Sequence, residues 1–243
     1  MGRVPARRGD SWRGRSDAIV KRLVDLVGSG LLLVVLLPLV LAVAVALKAS
    51  SRGPVFFRSR RVGFRGEELT MLKFRKMHEG ASGAPLTAKD DARFTRIGRF
   101  LAKTKIDEIP QLWNVLTGQM SRVGPRPEDA GFVELRPDDY AEILTVKPGI
   151  TGLCQLAFAK ESEILDSADS VDDYISRLLP QKIALDRRYV QRRSTAMDLR
   201  ILALRTAVAV LLRRDVSVHR STAKLTLRRR PKAQAVPILS EGS

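Results

Sequence analysis

The chain has 243 residues, 44% of them apolar, enough for one ordinary domain or two small ones. Lys and Arg number 43 against 26 Asp and Glu; the net charge of +17 points to anionic partners such as phosphate-rich substrates, anionic lipid or nucleic acid. One cysteine, Cys154, excludes an internal disulfide and reads as a small buried apolar residue, and 5% aromatic content is thin for stacking single-stranded bases.

Residues 1–16 are rich in Arg, Gly and Ser without apolar periodicity, which predicts a disordered basic arm. From Leu31 to Leu47 the chain is apolar throughout, with weaker apolar content reaching back to Leu23. That inner run is about 25 Å of helix, and the whole segment about 37 Å, against a hydrocarbon core of about 30 Å. Pro38 sits in the middle, where it removes the bond to the Val34 carbonyl and kinks or breaks the helix. Lys21 and Arg22 before the run, and Lys48, Arg52 and Arg58 after it, would hold both ends on the cytoplasmic side. Residues 17–49 are therefore expected to form a re-entrant membrane helix broken at Pro38, with Ser29 as one source of partners for the freed backbone. A single-pass anchor and a secretory signal peptide are the competing readings.

Gly53-Pro54 punctuates the exit, and Val55-Phe56-Phe57 opens a strand. Gly63 and Gly66 mark a turn, and Leu69 to Phe74 completes a hairpin. Residues 79–92 read as loop, and helices are expected over 96–105, 109–117 and 138–145. Lys147-Pro148-Gly149 reads as a turn, and 171–192 as helix except at Pro180. A last helix should start with a capping box at Thr195 and Asp198 and run to Arg213 and Arg214. The expectation is an α+β, mostly helical protein: a catalytic domain over 50–214 carrying a small β-hairpin, then a basic disordered tail over 215–243.

Three places carry chemistry. Pro110 is acceptable only near a helix start, which puts Asp107 and Glu108 at the beginning of that helix. Adjacent helical residues diverge by about 100°, so the two carboxylates have separate tasks available, one attacking phosphorus and one holding a metal. The bland alternative is ordinary helix-start stabilisation. In Thr70 to Arg75, period-two alternation puts Lys73 and Arg75 on one face, which suits either an anion site or a solvated polar face. Arg126 lies in Gly124-Pro125-Arg126-Pro127, where two prolines restrict the backbone that aims its guanidinium. His78 and His219 match no zinc-ligand spacing, and the chain has neither P-loop nor dinucleotide fingerprint.

Ordered motifs run from Lys21 to Thr206: Lys21-Arg22-Leu23-Val24-Asp25, Gly53-Pro54-Val55-Phe56-Phe57, Arg61-Val62-Gly63, Lys73-Phe74-Arg75-Lys76-Met77, then Asp91 with Arg93, Thr95 and Gly98. Asp107-Glu108 with Pro110-Gln111-Leu112 and Asn114-Val115-Leu116 follows, then Met120-Ser121, Val123 through Pro127, Lys147 through Gly152 with Gln155, and Tyr189-Val190, Ser194 and Asp198. In these the chain resembles the bacterial sugar transferases, the monotopic phosphoglycosyl transferases that prime cell-surface glycan assembly. The resemblance implies transfer of a phosphosugar from a UDP-sugar to polyprenyl phosphate with release of UMP, Mg²⁺ dependence, and attachment to the cell inner membrane with the catalytic domain on the cytoplasmic face. It implies Asp107 as nucleophile, Glu108 as metal ligand, and Lys73, Arg75 and Arg126 at the phosphate-rich site. Anionic membrane lipid is a further expected partner, nucleic acid is not, and a homo-oligomer is left open. The chain differs from the family pattern at Leu37, where Ser often precedes the membrane proline, and at Ala102 and Lys105, where Arg and Ser often precede the acidic pair. A membrane-tethered basic regulatory or nucleic-acid-binding protein is the alternative, and it leaves the acidic pair without a task.

Overall fold

The computed structural model describes residues 12–81, 91–158, 170–211, 214–218 and 225–229. Helix α1, Trp12–Ser50, runs without interruption through Pro38. The expected break is therefore corrected: the helix continues across the proline, which removes one hydrogen bond but leaves those of its neighbours in place. Helix also starts earlier than expected, at Trp12, so part of the presumed disordered arm is ordered; residues 1–11 lie outside the described residues.

The two ends of α1 are held on one domain, and its middle stands free. Near the start, Lys21 Nζ donates to the Val123 carbonyl at 2.9 Å and pairs with Asp198. The Arg22 guanidinium donates to the carbonyls of Val115 and Leu116 at 2.7 and 3.1 Å. Asp25 accepts from Ser121 Oγ at 2.7 Å. Near the end, Val43 and Leu47 pack with Phe74 and Leu101. Between these anchors Leu31, Val34, Val35, Leu37 and Leu41 are exposed. Two of the basic residues expected to face lipid, Lys21 and Arg22, are thus engaged within the protein. Ser29 is buried with no hydrogen-bond partner for its hydroxyl, so it does not serve the backbone near Pro38.

Beyond α1 the hairpin appears as expected. Strands β1 (Phe56–Val62) and β2 (Glu68–Phe74) pair antiparallel from Phe56↔Phe74 to Val62↔Glu68. Helix α2, Arg96–Thr104, is capped by Thr95 and ends at Lys105 in the left-handed conformation, φ 60°. A 3₁₀ turn over Ile106–Glu108 then leads into α3, Gln111–Leu116. The acidic pair thus occupies this turn and not the first turn of the following helix, because Lys105 reverses the chain one residue before it.

A parallel pair not anticipated from the sequence joins β3, Ser121–Val123, to β4, Gly149–Thr151. Their residues form runs of three, too short for a periodic signal. Helices α4 (Ala130–Glu134) and α5 (Pro137–Ile143) lie between them, and α6 (Leu153–Ala157) follows. Helix α7, Ser170–Asp173, passes through a π turn at Tyr174–Leu178 into α8, Leu179–Arg192. Pro180 is accommodated because it falls in the first turn of α8. Helix α9, Thr195–Leu211, is capped by Ser194, whose Oγ accepts from Met197 N at 3.2 Å; Asp198 is engaged by Lys21 and does not close a capping box. In place of a helix ending at Arg214, β5 (Arg214–Val218) and β6 (Leu225–Arg229) pair antiparallel within the span expected to be a disordered tail; its residues 219–224 and 230–243 lie outside the described residues. Val216-Ser217-Val218 and Leu225-Thr226-Leu227 carry the alternation that suits a strand.

The core is divided. Phe132, Tyr140, Tyr174 and Leu179 join α4, α5 and α8, while Val123, Leu153, Tyr189 and Ile201 join β3, α6, α8 and α9. Leu69, Met71, Val115 and Met120 join the hairpin to α3. Helix α2 docks so closely on the end of β2 that a Cβ at Gly98 would lie 1.8 Å from the Lys76 carbonyl oxygen. Gly98→Ala is expected to cost about 1–3 kcal/mol and to displace Lys76. Thermal unfolding of the purified variant checks this, and an unchanged melting temperature would contradict it.

Candidate active site

Asp107 and Glu108 are 2% and 9% exposed, an unusual depth for adjacent carboxylates. Cations from three elements converge on them. Lys76, just past β2, places Nζ 4.0 Å from Asp107 Oδ2. Arg126, from the loop after β3, stands 3.8 Å from Glu108 Oε1, and Arg205 of α9 stands 3.9 Å from Glu108 Oε2. Lys73 lies close enough to Arg126, Lys76 and both carboxylates to be perturbed by all four.

The loop bearing Arg126 is positioned by backbone. Gly124 N donates to the Thr151 carbonyl at 2.9 Å, and Gly149 N to the Pro125 carbonyl at 2.8 Å. The strands approach so closely that a Cβ at Gly149 would fall 2.1 Å from Gly124 N. From behind, Arg126 N donates to Asp186 Oδ2 at 3.4 Å. Burial pushes the Asp186 carboxyl up to about 8, partly offset by that backbone bond. On the other side Asn114 fixes α3 to β2: its Oδ1 accepts from Leu72 N at 3.0 Å, and its Nδ2 donates to the Thr70 carbonyl at 2.8 Å. That bridge sets Lys73 against the acidic turn.

The same surroundings push the two carboxylates in opposite directions. Burial and then the Glu108 charge raise Asp107 above the usual carboxylate range, with Lys76 opposing. Its Oδ1 is buried without a hydrogen-bond partner. Burial also works against ionised Glu108, but Arg126, Lys73, Lys105 and Arg205 together hold it below the usual range. Burial and the nearby Arg126 push the Lys73 ammonium down to about 7. The result is one well-compensated carboxylate beside one poorly solvated carboxylate, with partly exposed cations around them.

Of the residues singled out in the sequence, Lys73, Asp107, Glu108 and Arg126 are brought together. Arg75 turns away: it donates to the Ser51 carbonyl and Oγ at 3.1 and 2.9 Å and to the Arg52 carbonyl, fixing the exit from α1. Strand β2 ends at Phe74, so alternation no longer governs the next residues, and Lys76 reaches the acidic pair instead. Lys76 and Arg205 were not singled out as site residues. A signal for Arg205 is present in the sequence, where it is the lone charge in the apolar run Ile201–Leu211.

A buried carboxylate pair with converging cations thus lies on a domain that carries a long apolar helix. The chain belongs to the bacterial sugar transferase family, whose model it matches over residues 16–213. A UDP-glucose:undecaprenyl-phosphate glucose-1-phosphate transferase of Xanthomonas campestris pv. campestris is 40% identical over 221 residues, 87% of this chain and 43% of that protein. A Caulobacter vibrioides protein of the same name is 38% identical over 196 residues, covering 79% of this chain and 69% of its own length. The exopolysaccharide production protein PSS of Rhizobium leguminosarum bv. phaseoli is 37% identical over 196 residues, 76% of this chain and 92% of the relative. The chain spans about two fifths of the length of several of the curated relatives it matches.

An anion entering the site restores the Lys73 proton, because negative charge raises the pKa from about 7. At about pH 8, binding of inorganic pyrophosphate as a probe is therefore expected to take up a proton, and Lys73→Met to remove most of that uptake. Calorimetry in two buffers of different ionisation heat measures it. Uptake unchanged in the variant would refute the assignment.

Proposed function

We propose that this chain transfers a phosphosugar from a UDP-sugar to polyprenyl phosphate at the cytoplasmic face of the cell membrane, through a covalent adduct on Asp107. The observation that carries this reading is the unpartnered, buried Oδ1 of Asp107 beside the charge-compensated Glu108. A carboxylate oxygen that has lost its water is a stronger nucleophile, provided cations offset its repulsion from the diphosphate.

In the first half of the reaction, Asp107 Oδ1 attacks the sugar-bearing phosphorus. The bond from that phosphorus to the bridging oxygen breaks, and UMP leaves with the oxygen and its electron pair. Lys73, Lys76 and Arg126 lie where they would screen the two anions and the leaving phosphate. In the second half, an oxygen of polyprenyl phosphate attacks the same phosphorus, and the aspartyl oxygen departs as carboxylate. The product is a polyprenyl diphosphosugar, and neither step needs a proton.

The donor set fits Mg²⁺. Glu108 would hold the ion through hard carboxylate oxygens, with substrate phosphates and water as its other ligands. No cluster of three or more His, Cys, Asp or Glu is assembled among the described residues, which suits an ion shared with substrate over an all-protein cage. When bound, Mg²⁺ would supply charge neutralisation on the diphosphate.

Re-entrance of α1 is supported by its anchorage. From Lys21 to Leu47 a straight helix measures about 39 Å, longer than the hydrocarbon core, yet both positions touch the same domain. A span would put these anchors on opposite sides of the bilayer. Held at both ends on the domain, α1 would enter the membrane by its exposed Leu31 to Leu41 stretch without crossing it, with exposed Phe100 and Trp113 at the interface. Positively charged flanks add attraction to anionic lipid, about 1 kcal/mol per well-placed cation.

Membranes containing the protein, undecaprenyl phosphate and Mg²⁺ are to be screened with UDP-glucose, UDP-galactose, UDP-N-acetylglucosamine and UDP-N-acetylgalactosamine for UMP release. Asp107→Asn is expected to lower release by at least about 10³-fold with no loss of thermal stability, since a buried charge is removed. Mass spectrometry of quenched wild type should find the phosphosugar on Asp107. Near-normal turnover by the variant would defeat the nucleophile assignment.

A further inference from the structure

Glu108 stands between two guanidiniums that arrive from different supports. Arg126 comes from a proline-bounded loop fixed to the β3–β4 pair and to buried Asp186. Arg205 comes from α9, the helix whose Asp198 is paired with Lys21 of α1. Asp198 and Arg205 are seven residues apart, two turns of helix, and so lie on one face of α9 with buried Ile201 between them. The same face therefore ties the apolar helix α1 to the acidic pair.

Arg205 differs from its neighbours in two ways. It is the lone charge between Arg200 and Arg213, in an otherwise apolar run broken only by Thr206. It also makes no hydrogen bond among the described residues; Glu108 Oε2 stands 3.9 Å away, beyond hydrogen-bond reach. Its side chain is 27% exposed. A guanidinium in this state has its planar set of donors available for a phosphate.

We propose that Arg205 binds the phosphate of the lipid-borne acceptor and serves the second half of the transfer, whereas Arg126 serves the donor half. This rests on the two-step reading above. A phosphate on a polyprenyl tail approaches along an apolar surface; α9 contacts α1, exposes Leu199, and carries Arg205 two turns beyond the Lys21–Asp198 pair. The acceptor must bring a second anion up to an anionic phosphosugar ester, so a cation on its path lowers the repulsion that the attack meets. The soluble nucleotide has no reason to enter along α9, and the Arg126 loop faces it from the β3–β4 side.

The two halves separate experimentally. Exchange of radiolabelled UMP into the UDP-sugar, without acceptor, reads the donor half alone; formation of the undecaprenyl diphosphosugar reads both. Arg205→Ala is expected to keep exchange within a few-fold of wild type while transfer to undecaprenyl phosphate falls about 100-fold. Arg205→Gln, closer in size, should show the same split, and Arg205→Lys should recover part of the transfer. Arg126→Ala should lose exchange and transfer together. Equal losses of exchange and transfer in Arg205→Ala and Arg205→Gln, or no loss in either, would overturn the assignment. Absence of exchange in the wild type would instead overturn the two-step reading and this division of labour with it.

Discussion

Two neighbouring carboxylates held out of water demand positive charge from elsewhere in the chain, and much of the domain is arranged to deliver it. Lys73 and Lys76 come from the end of the hairpin, Arg126 from the β3–β4 loop and Arg205 from the last long helix. None of these belongs to the segment that carries the acids. Each delivery has its own structural requirement: the Asn114 bridge for β2, close glycine packing at Gly124 and Gly149 for the loop, and the Asp198 network for α9. The site is therefore a product of the whole domain.

A second constraint concerns the apolar helix. In lipid, burying Val43 or Leu47 against protein gains little, because acyl chains are as apolar as leucine. Polar contacts discriminate far better. Lys21 with Val123, Tyr189 and Asp198, Arg22 with the last carbonyls of α3, and Asp25 with Ser121 fix where α1 begins on the domain. Arg75 then fixes where the chain leaves it. Between these clamps the helix is free to meet the hydrocarbon.

What the sequence made legible was local. The β1–β2 hairpin follows from its turn glycines, α2 falls where a helix over 96–105 is expected, and the apolar run follows from length alone. The acidic pair and the Gly-Pro-Arg-Pro loop stood out because their chemistry is written in consecutive residues. Non-local pairing was not legible. Strands β3 and β4 are three residues each and are joined across more than twenty intervening residues, so no periodicity marks them. Arg75 and Lys76 exchange the places that alternation assigns because β2 stops one residue earlier. Arg205 carried a signal, a charge where an apolar helix should have none, but its partner lies nearly a hundred residues away.

The proposed division of tasks between Asp107 and Glu108 rests on their unequal compensation. Glu108 has two guanidiniums and stays charged despite its burial; Asp107 has one ammonium at the edge of ion-pair reach and an oxygen with no partner. In the proposed transfer, forming the acyl phosphate takes the negative charge off the Asp107 carboxyl, which burial and the Glu108 charge disfavour, and leaves it on the phosphoryl oxygens, whereas Glu108 keeps a constant charge through both steps. Exchanging the two side chains would leave that imbalance in place, because the compensation comes from Arg126 and Arg205 around position 108 and not from the acids themselves. In the proposed scheme, adjacent acids of nearly identical chemistry acquire different work because the surrounding cations are distributed unequally.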